Sequence, residues 1–256
     1  MILAMDIGNT NIVMGVYKEK ELLANWRAAT NKTVTSDEFG MFVMNLFAYE
    51  SIEASGIEEI IISSVVPPIM YSVEHAIRKY FNKNAMIVGP GIRTGISVKT
   101  ENPKEVGADR IVNAVAGYEK YGGPLIILDI GTAMTFCVIS EDSEYLGGLI
   151  CPGVRISSEA LFERTAKLPR IEIAKPCSVI GKNTVKAMQS GIFHGLIGQI
   201  EHIIKKIREE TGWENAKVIA TGGMANLIIN ETDSIDIFDR YLTLDGLRII
   251  YEKNRQ

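Results

Sequence analysis

The apolar positions of this chain gather into short runs that break at aspartate or glycine, and between them lie longer stretches with helical apolar spacing. Residues 2–8, ILAMDIG, are apolar up to an aspartate and then meet a glycine, the pattern of a buried strand ending in a turn. NIVMGVY (11–17) and LLANWRA (22–28) are rich in strand formers, and the polar KEKE between them has hairpin length. SDEFGMFVMNLFAYE (36–50) has helical spacing, a Ser36 start and acidic residues in its first turn. A strand stopped by proline is predicted at IEEIIISSVVP (57–67), then a helix near 69–81 and a short strand AMIV (85–88). Residues 90–104 hold glycines and prolines with few periodic apolar positions, so they read as a loop that links or lids two halves. ADRIVNAVAGYEKYG (108–122) predicts a helix, with Asp109 at its start and Gly122 after its end.

Beyond that helix the pattern begins again. PLIILDIGTAMTFCVI (124–139) is a strand, an aspartate-glycine turn and a second strand, in the order of the N-terminus. Asp6-Ile7-Gly8-Asn9-Thr10 can be laid over Asp129-Ile130-Gly131-Thr132-Ala133, each copy entering from an apolar strand and leaving into a strand-forming run. The second copy continues with a third strand near 145–151, helices near 153–163 and 183–210, the strand AKVIA (216–220) and closing helices. The fold class implied is α/β: two duplicated halves, 1–115 and 116–256, each a mixed sheet flanked by helices. A cleft between the halves is the expected place for a ligand.

Composition narrows the class. With 256 residues, 46% hydrophobic and 23% charged, the chain has ordinary globular proportions. A net charge of −4 disfavours a polyanionic partner, so no nucleic acid is expected. No run reaches the 18 or so apolar residues of a membrane helix, and Asp6 interrupts the start, so no membrane and a cytoplasmic location are expected. Cys137, Cys151 and Cys177 show no C-x-x-C spacing or histidine cluster, which points to buried reduced thiols. His75, His194 and His202 fall on none of the turns and receive no role.

The first turn carries candidate chemistry. Gly8 lets backbone approach phosphate oxygens, Asn9 and Thr10 can donate hydrogen bonds, and Asp6 can hold a hydrated Mg²⁺. A hairpin turn explains those residues alone, but the repeat at Asp129 to Thr132 makes coincidence the weaker account. Two such turns can flank a triphosphate. A third turn, Thr221-Gly222-Gly223-Met224, follows an apolar strand; it is expected to open a helix and approach an adenosine moiety.

These turns resemble the phosphate and adenosine segments of the acetate kinase, hexokinase, Hsp70 and actin superfamily. Within it, D-I-G-N-T-N at the start, E-N-P-K-E-V-G-A-D-R (101–110), D-I-G-T-A (129–133), G-G-L-I-C-P-G (147–153) and I-G-K-N-T (180–184) followed by Q-S-G (189–191) resemble the type III pantothenate kinases. The resemblance runs through nearly the whole chain in order. It implies two duplicated ribonuclease H-like, actin-like ATPase domains and the phosphorylation of pantothenate by ATP with Mg²⁺ and K⁺ or NH₄⁺, opening coenzyme A synthesis.

Residue by residue, the resemblance makes Asp109 the general base. It places Gly107, Ala108, Arg110 and Thr184 at the substrate, and Asp6, Gly8, Asn9, Thr10, Asn11, Thr132, Gly222 and Gly223 at the nucleotide. Asp129 falls at the monovalent cation. Chemistry agrees for Asp109, whose carboxylate can take the proton of a primary hydroxyl, although aspartate there also suits a helix cap. A homodimer is implied as well. Thr100 departs from the pattern, standing where tyrosine is usual before E-N-P, which bears on substrate preference. The alternatives are a nucleotide-binding regulatory protein of the transcriptional accessory kind and a kinase of another small hydroxy acid. The intact G-A-D-R segment and the acidic balance speak against the first.

Overall fold

The computed structural model describes residues 1–255. In chain order the elements are β1 (Ile2–Ile7), β2 (Asn11–Lys18), β3 (Glu21–Ala29), α1 (Ser36–Tyr49), β4 (Glu59–Ser64), α2 (Pro67–Phe81), β5 (Met86–Ile87), β6 (Ser97–Val98), α3 (Ala108–Tyr121), β7 (Leu125–Ile130), β8 (Ala133–Ile139), β9 (Glu144–Pro152), α4 (Val154–Arg164), α5 (Thr184–Thr211), β10 (Lys217–Thr221), β11 (Ile237–Phe238) and α6 (Leu242–Asn254). They form two compact units, one of residues 1–96, 101–116 and the chain from Tyr241 onward, the other of residues 97–100 and 117–240. Against the division at 115/116 read from the sequence, residue 116 falls in the first unit and two longer segments change sides. The last helix belongs with the first unit, and residues 97–100 belong with the second.

In the first unit the sheet order is β3-β2-β1-β4-β5, with β1 antiparallel to β2 and parallel to β4. Alternation along the strands sorts their side chains to two faces. Leu3, Met5, Ile7, Ile60 and Ile62 are buried with apolar residues of α1 and α2, whereas Ile2, Ala4 and Ile61 are buried with Val112 and Val115 of α3 and with Leu244, Leu247 and Ile250 of α6. Asp6 pairs with Ser63 across β1 and β4, and by the same alternation both belong to the α3 and α6 face. Helix α1 starts as its sequence suggests, one residue after a Thr35 cap whose hydroxyl accepts from the Glu38 N–H while Glu38 reaches back.

In the second unit the sheet order is β11-β10-β7-β8-β9-β6. The series β9-β8-β7-β10-β11 repeats β3-β2-β1-β4-β5 in order, and each pairing keeps its direction. The expected duplication is thus present, with β6 added on the edge through pairing with β9. One face is covered by α5, where Phe193, Leu196, Ile200, Ile204 and Ile207 recur every three or four residues and are buried with Ile126, Leu128, Ile130 and Phe136.

Four sequence expectations need correction. Residues 221–223 do not open an α-helix: a three-residue 3₁₀ helix, Ala225–Leu227, follows instead. The chain beyond it is β-branched or bonds its own backbone, as Thr232 does in accepting from the Ser234 N–H, which favours turns. A single closing helix, α6, stands where several were expected. Inside the predicted loop 90–104, Ser97–Val98 forms a strand because it finds β9 as a partner. Cys137 is buried, but Cys151 is half-buried and Cys177 exposed. Among the described residues no helix is long and apolar enough to cross a membrane.

Candidate functional site

In the first unit, residues 8–10 form the turn between β1 and β2. The Gly8 N–H donates to the Asn11 carbonyl at 3.0 Å, and a Cβ on Gly8 would lie 3.2 Å from that same oxygen, so the turn is tight. Thr30, just beyond β3, fastens it from the side. Its N–H donates to the Thr10 carbonyl at 2.9 Å and its hydroxyl to the Gly8 carbonyl at 2.6 Å. Nothing in the sequence marks Thr30, because its role exists only once β3 lies beside β2. Asn9 is exposed at the tip, while Asp6, Thr10 and Asn11 are half-buried around it.

Asp109 is the second residue of α3, which starts at Ala108. The Gly107 carbonyl accepts from the N–H groups of Arg110 and Ile111, and Asp109 Oδ1 accepts from the Arg110 N–H at 2.8 Å. This carboxylate therefore bonds within its own turn rather than as the residue preceding the helix, the capping position the sequence suggested. Burial pushes the Asp109 carboxyl above the usual aspartate value, opposed by the Arg110 N–H and the Arg110 charge. A Cβ on Gly107 would sit 2.5 Å from Asp109 Oδ1 and 3.6 Å from Val65, so the acid lies close against a residue that has no side chain. The Val65 N–H in turn donates to the Ile7 carbonyl at 3.1 Å. Asp109 and the Asp6–Asn11 turn thus share the edge of the first sheet where β1 and β4 end.

In the second unit the β7–β8 turn is enclosed by two other segments. Thr221 on β10 pairs with Asp129 on β7, and Gly222 follows with φ +95°. A Cβ there would lie 2.5 Å from Asp129 Oδ1 and 2.7 Å from the Ile130 backbone, and the Met224 N–H donates to the Ile130 carbonyl at 3.2 Å. Gly153, preceding α4, approaches from another side: its Cβ would be 2.2 Å from the Thr132 carbonyl oxygen and 2.5 Å from that of Gly131. Thr132 and Gly223 remain exposed. Gly153 belongs to a motif quoted from the sequence, yet it was given no role there; Pro-Gly before a helical run was the available signal.

Thr184 is the first residue of α5, capped by Asn183, whose side chain accepts from the Lys186 N–H at 2.9 Å. It lines a cavity of about 860 Å³ together with Val154, Lys182, Met188 and Gln199, whose wall contains no residue of 129–133 or 221–224. The structure therefore groups Asp6–Asn11 with Gly107–Arg110 in one unit and Asp129 and Thr132 with Gly222 and Gly223 in the other, and sets Thr184 on a separate cavity. Among the described residues no three His, Cys, Asp or Glu side chains converge on a metal position. Asp6 and Asp129 each offer one half-buried carboxylate near the end of its strand. That donor set fits a hard cation completing its shell with water or phosphate.

The sequence model of the type III pantothenate kinases matches residues 2–206. Among solved structures, the chain is similar to a protein from Campylobacter jejuni ascribed to the Baf family of transcriptional activators, with a TM-score of 0.63 at 22% identity over 99% of this chain and 98% of that one. It is also similar to the activator of 2-hydroxyisocaproyl-CoA dehydratase from Clostridium difficile with bound ADPNP (TM-score 0.54, 9% identity, 99% and 95% covered) and to a ROK hexokinase from Thermus thermophilus (0.51, 12%, 98% and 99%). At these identities the shared property is the actin-like ATPase fold.

Proposed function

The chain belongs to the type III pantothenate kinase family, and from that premise we propose that it transfers the γ-phosphoryl group of ATP to the primary hydroxyl of pantothenate, the first step of coenzyme A synthesis. The observation that carries this reading is Asp109, held in G-A-D-R at the edge of the first sheet that also bears the Asp6–Asn11 turn. A carboxylate whose proton affinity is raised by burial is a better acceptor for a hydroxyl proton than an exposed one. The hydroxyl oxygen forms a bond to the γ-phosphorus, the bridging bond to the β-phosphate breaks, ADP leaves, and the proton goes to Asp109.

The other residues bind and orient. Asn9, Thr10 and Asn11 present N–H and polar groups to phosphate oxygens, Gly8 keeps the turn tight through its N–H bond to the Asn11 carbonyl, and Arg110 suits the pantothenate carboxylate through its paired donors. Gly107 and Ala108 bring backbone to the substrate, with Thr184 as a further substrate contact. Thr132, Gly222 and Gly223 serve the nucleotide. Asp6 would hold Mg²⁺ through water and Asp129 would hold K⁺ or NH₄⁺; when bound, these cations neutralise phosphate charge as it shifts toward the leaving group. A homodimer belongs to the same reading, supported by the exposed apolar side chains Ile150, Val179 and Ile180.

The test is a coupled assay of ADP release with and without pantothenate, in Na⁺ and then in K⁺ or NH₄⁺ buffer. Release that requires both pantothenate and K⁺ or NH₄⁺ is expected; release indifferent to pantothenate would reject the acceptor. Thr100, standing where the resemblance expects tyrosine, favours a second reading, a kinase of another small hydroxy acid; its hydroxyl oxygen is buried without a hydrogen-bond partner in the protein. A panel of hydroxylated acids in the same assay separates the two. Gly107→Ala forces Asp109 Oδ1 aside, and since that carboxylate is the end of a short side chain able to turn, a loss of about tenfold in kcat is expected with little change in ATP KM.

A further inference from the structure

The stretch matched by the family model ends at residue 206, yet α6 lies far beyond it and packs into the first unit against α3. The contact is close. A Cβ on Gly246 would sit 2.2 Å from the Val112 carbonyl oxygen, and the Thr243 hydroxyl donates to Asn113 Oδ1 at 2.7 Å. Thr243 and Gly246 are three residues apart, so they share one face of α6. Asn113, only 2% exposed, stands four residues after Asp109 and Val112 three, which puts both one turn below the acid on its own side of α3.

The rest of α6 is anchored elsewhere. Tyr17 on β2 donates its hydroxyl to Asp245 Oδ1 at 2.8 Å, and the Arg248 guanidinium lies 5.7 Å from the centre of the Tyr17 ring. At the far end Asn254 accepts from the Arg93 N–H at 2.9 Å and donates to the Arg93 carbonyl at 2.8 Å. The helix is thus fixed to the sheet and to the 93 segment before it touches α3.

We infer that α6 sets the aim of the catalytic helix: Thr243 and Gly246, acting through Asn113 and Val112, fix how deeply the first turn of α3 sits and so where the Asp109 carboxylate points. They are positioning residues, and the inference rests on the reading of Asp109 as the base. Reacting groups tolerate little displacement, and a shift of about 1 Å can cost on the order of a hundredfold in rate.

The experiment compares Thr243→Val, Thr243→Ser, Gly246→Ala and Asn254→Ala in the full-length protein. Urea unfolding, steady-state kinetics with pantothenate and an NMR titration of ¹³C-labelled aspartates are measured for each, with Asp109→Asn identifying the Asp109 signal. Thr243→Val and Gly246→Ala are expected to lower kcat about tenfold with pantothenate KM within about threefold, and to move the Asp109 titration midpoint. Thr243→Ser restores both. Asn254→Ala loses stability through the far anchor but keeps kcat within about twofold.

Thr243→Val with lowered stability but unchanged kcat and an unmoved Asp109 titration would overturn the inference and leave α6 as packing. If Gly246→Ala fails to fold, Thr243→Val and its serine counterpart still decide. An active Asp109→Asn protein would sink the base assignment itself, whereas an inactive one beside a normal Thr243→Val sinks the role of α6 alone.

Discussion

Replacing Asp109 by asparagine is expected to leave a folded protein whose kcat falls by about 10²- to 10⁴-fold, the usual contribution of a positioned base. Asparagine keeps the shape and can still accept from the Arg110 N–H, so the fold has no reason to change. What it loses is the ability to take a proton. The pH profile gives a second reading of the same side chain. Because burial raises the Asp109 carboxyl above its ordinary value of 3.8, the acid limb of kcat/KM is expected to lie above that value and to vanish in Asp109→Asn.

Stability moves the opposite way. The folded state holds this proton more tightly than the unfolded chain does, so the stabilising contribution of Asp109 is complete below the ordinary aspartate value and is lost as pH rises through the folded one. At neutral pH a partly buried charge remains as a cost. Asp109→Asn is therefore expected to match or exceed the parent protein in urea midpoint at pH 7. A variant both inactive and clearly less stable would show that the acid supports the fold instead.

Gly222→Ala carries the other large expected effect. The residue sits at φ +95°, which a side chain adopts at a cost of about 1–3 kcal/mol. Its Cβ would press on Asp129 and on the N and C atoms of Ile130, and backbone, unlike a side-chain tip, cannot turn away. The β7–β8 turn must then shift. We expect a total stability loss of about 2–4 kcal/mol together with nucleotide binding weakened more than about a hundredfold, read by thermal unfolding and by titration with a non-hydrolysable ATP analogue. Unchanged nucleotide affinity would remove the Gly222 turn from the binding site.

The strands and the duplication were legible because they depend on local pattern. Two D-I-G turns, each entered from an apolar run and followed by a hairpin, specify the repeated three-strand meander without reference to anything distant. The place of Asp109 at a helix start was legible for the same reason, since ADRIVNAVAGYEKYG has helical spacing, whereas its role as base comes from the resemblance alone. The features that escaped are made by neighbours far apart in sequence. Thr30 acts only where β3 ends beside the first turn, and β6 exists because Ser97 and Val98 meet β9. The glycine turn after β10 predicts a helix, and only the short 3₁₀ turn Ala225–Leu227 forms, because a strand followed by glycines precedes helices and turns alike. The return of α6 to the first unit leaves no trace in periodicity, because apolar spacing tells that a helix buries one face but not against what.

That return has a bearing on how the molecule is made. During synthesis the second unit is complete once residue 240 has emerged, whereas the first, though begun earliest, lacks Leu244, Leu247 and Ile250 under its sheet until α6 has followed. The usual order, in which the N-terminal body matures first, is thereby reversed. A nascent chain that has already displayed Asp6 and Asp109 lacks this packing beneath them until α6 joins the sheet.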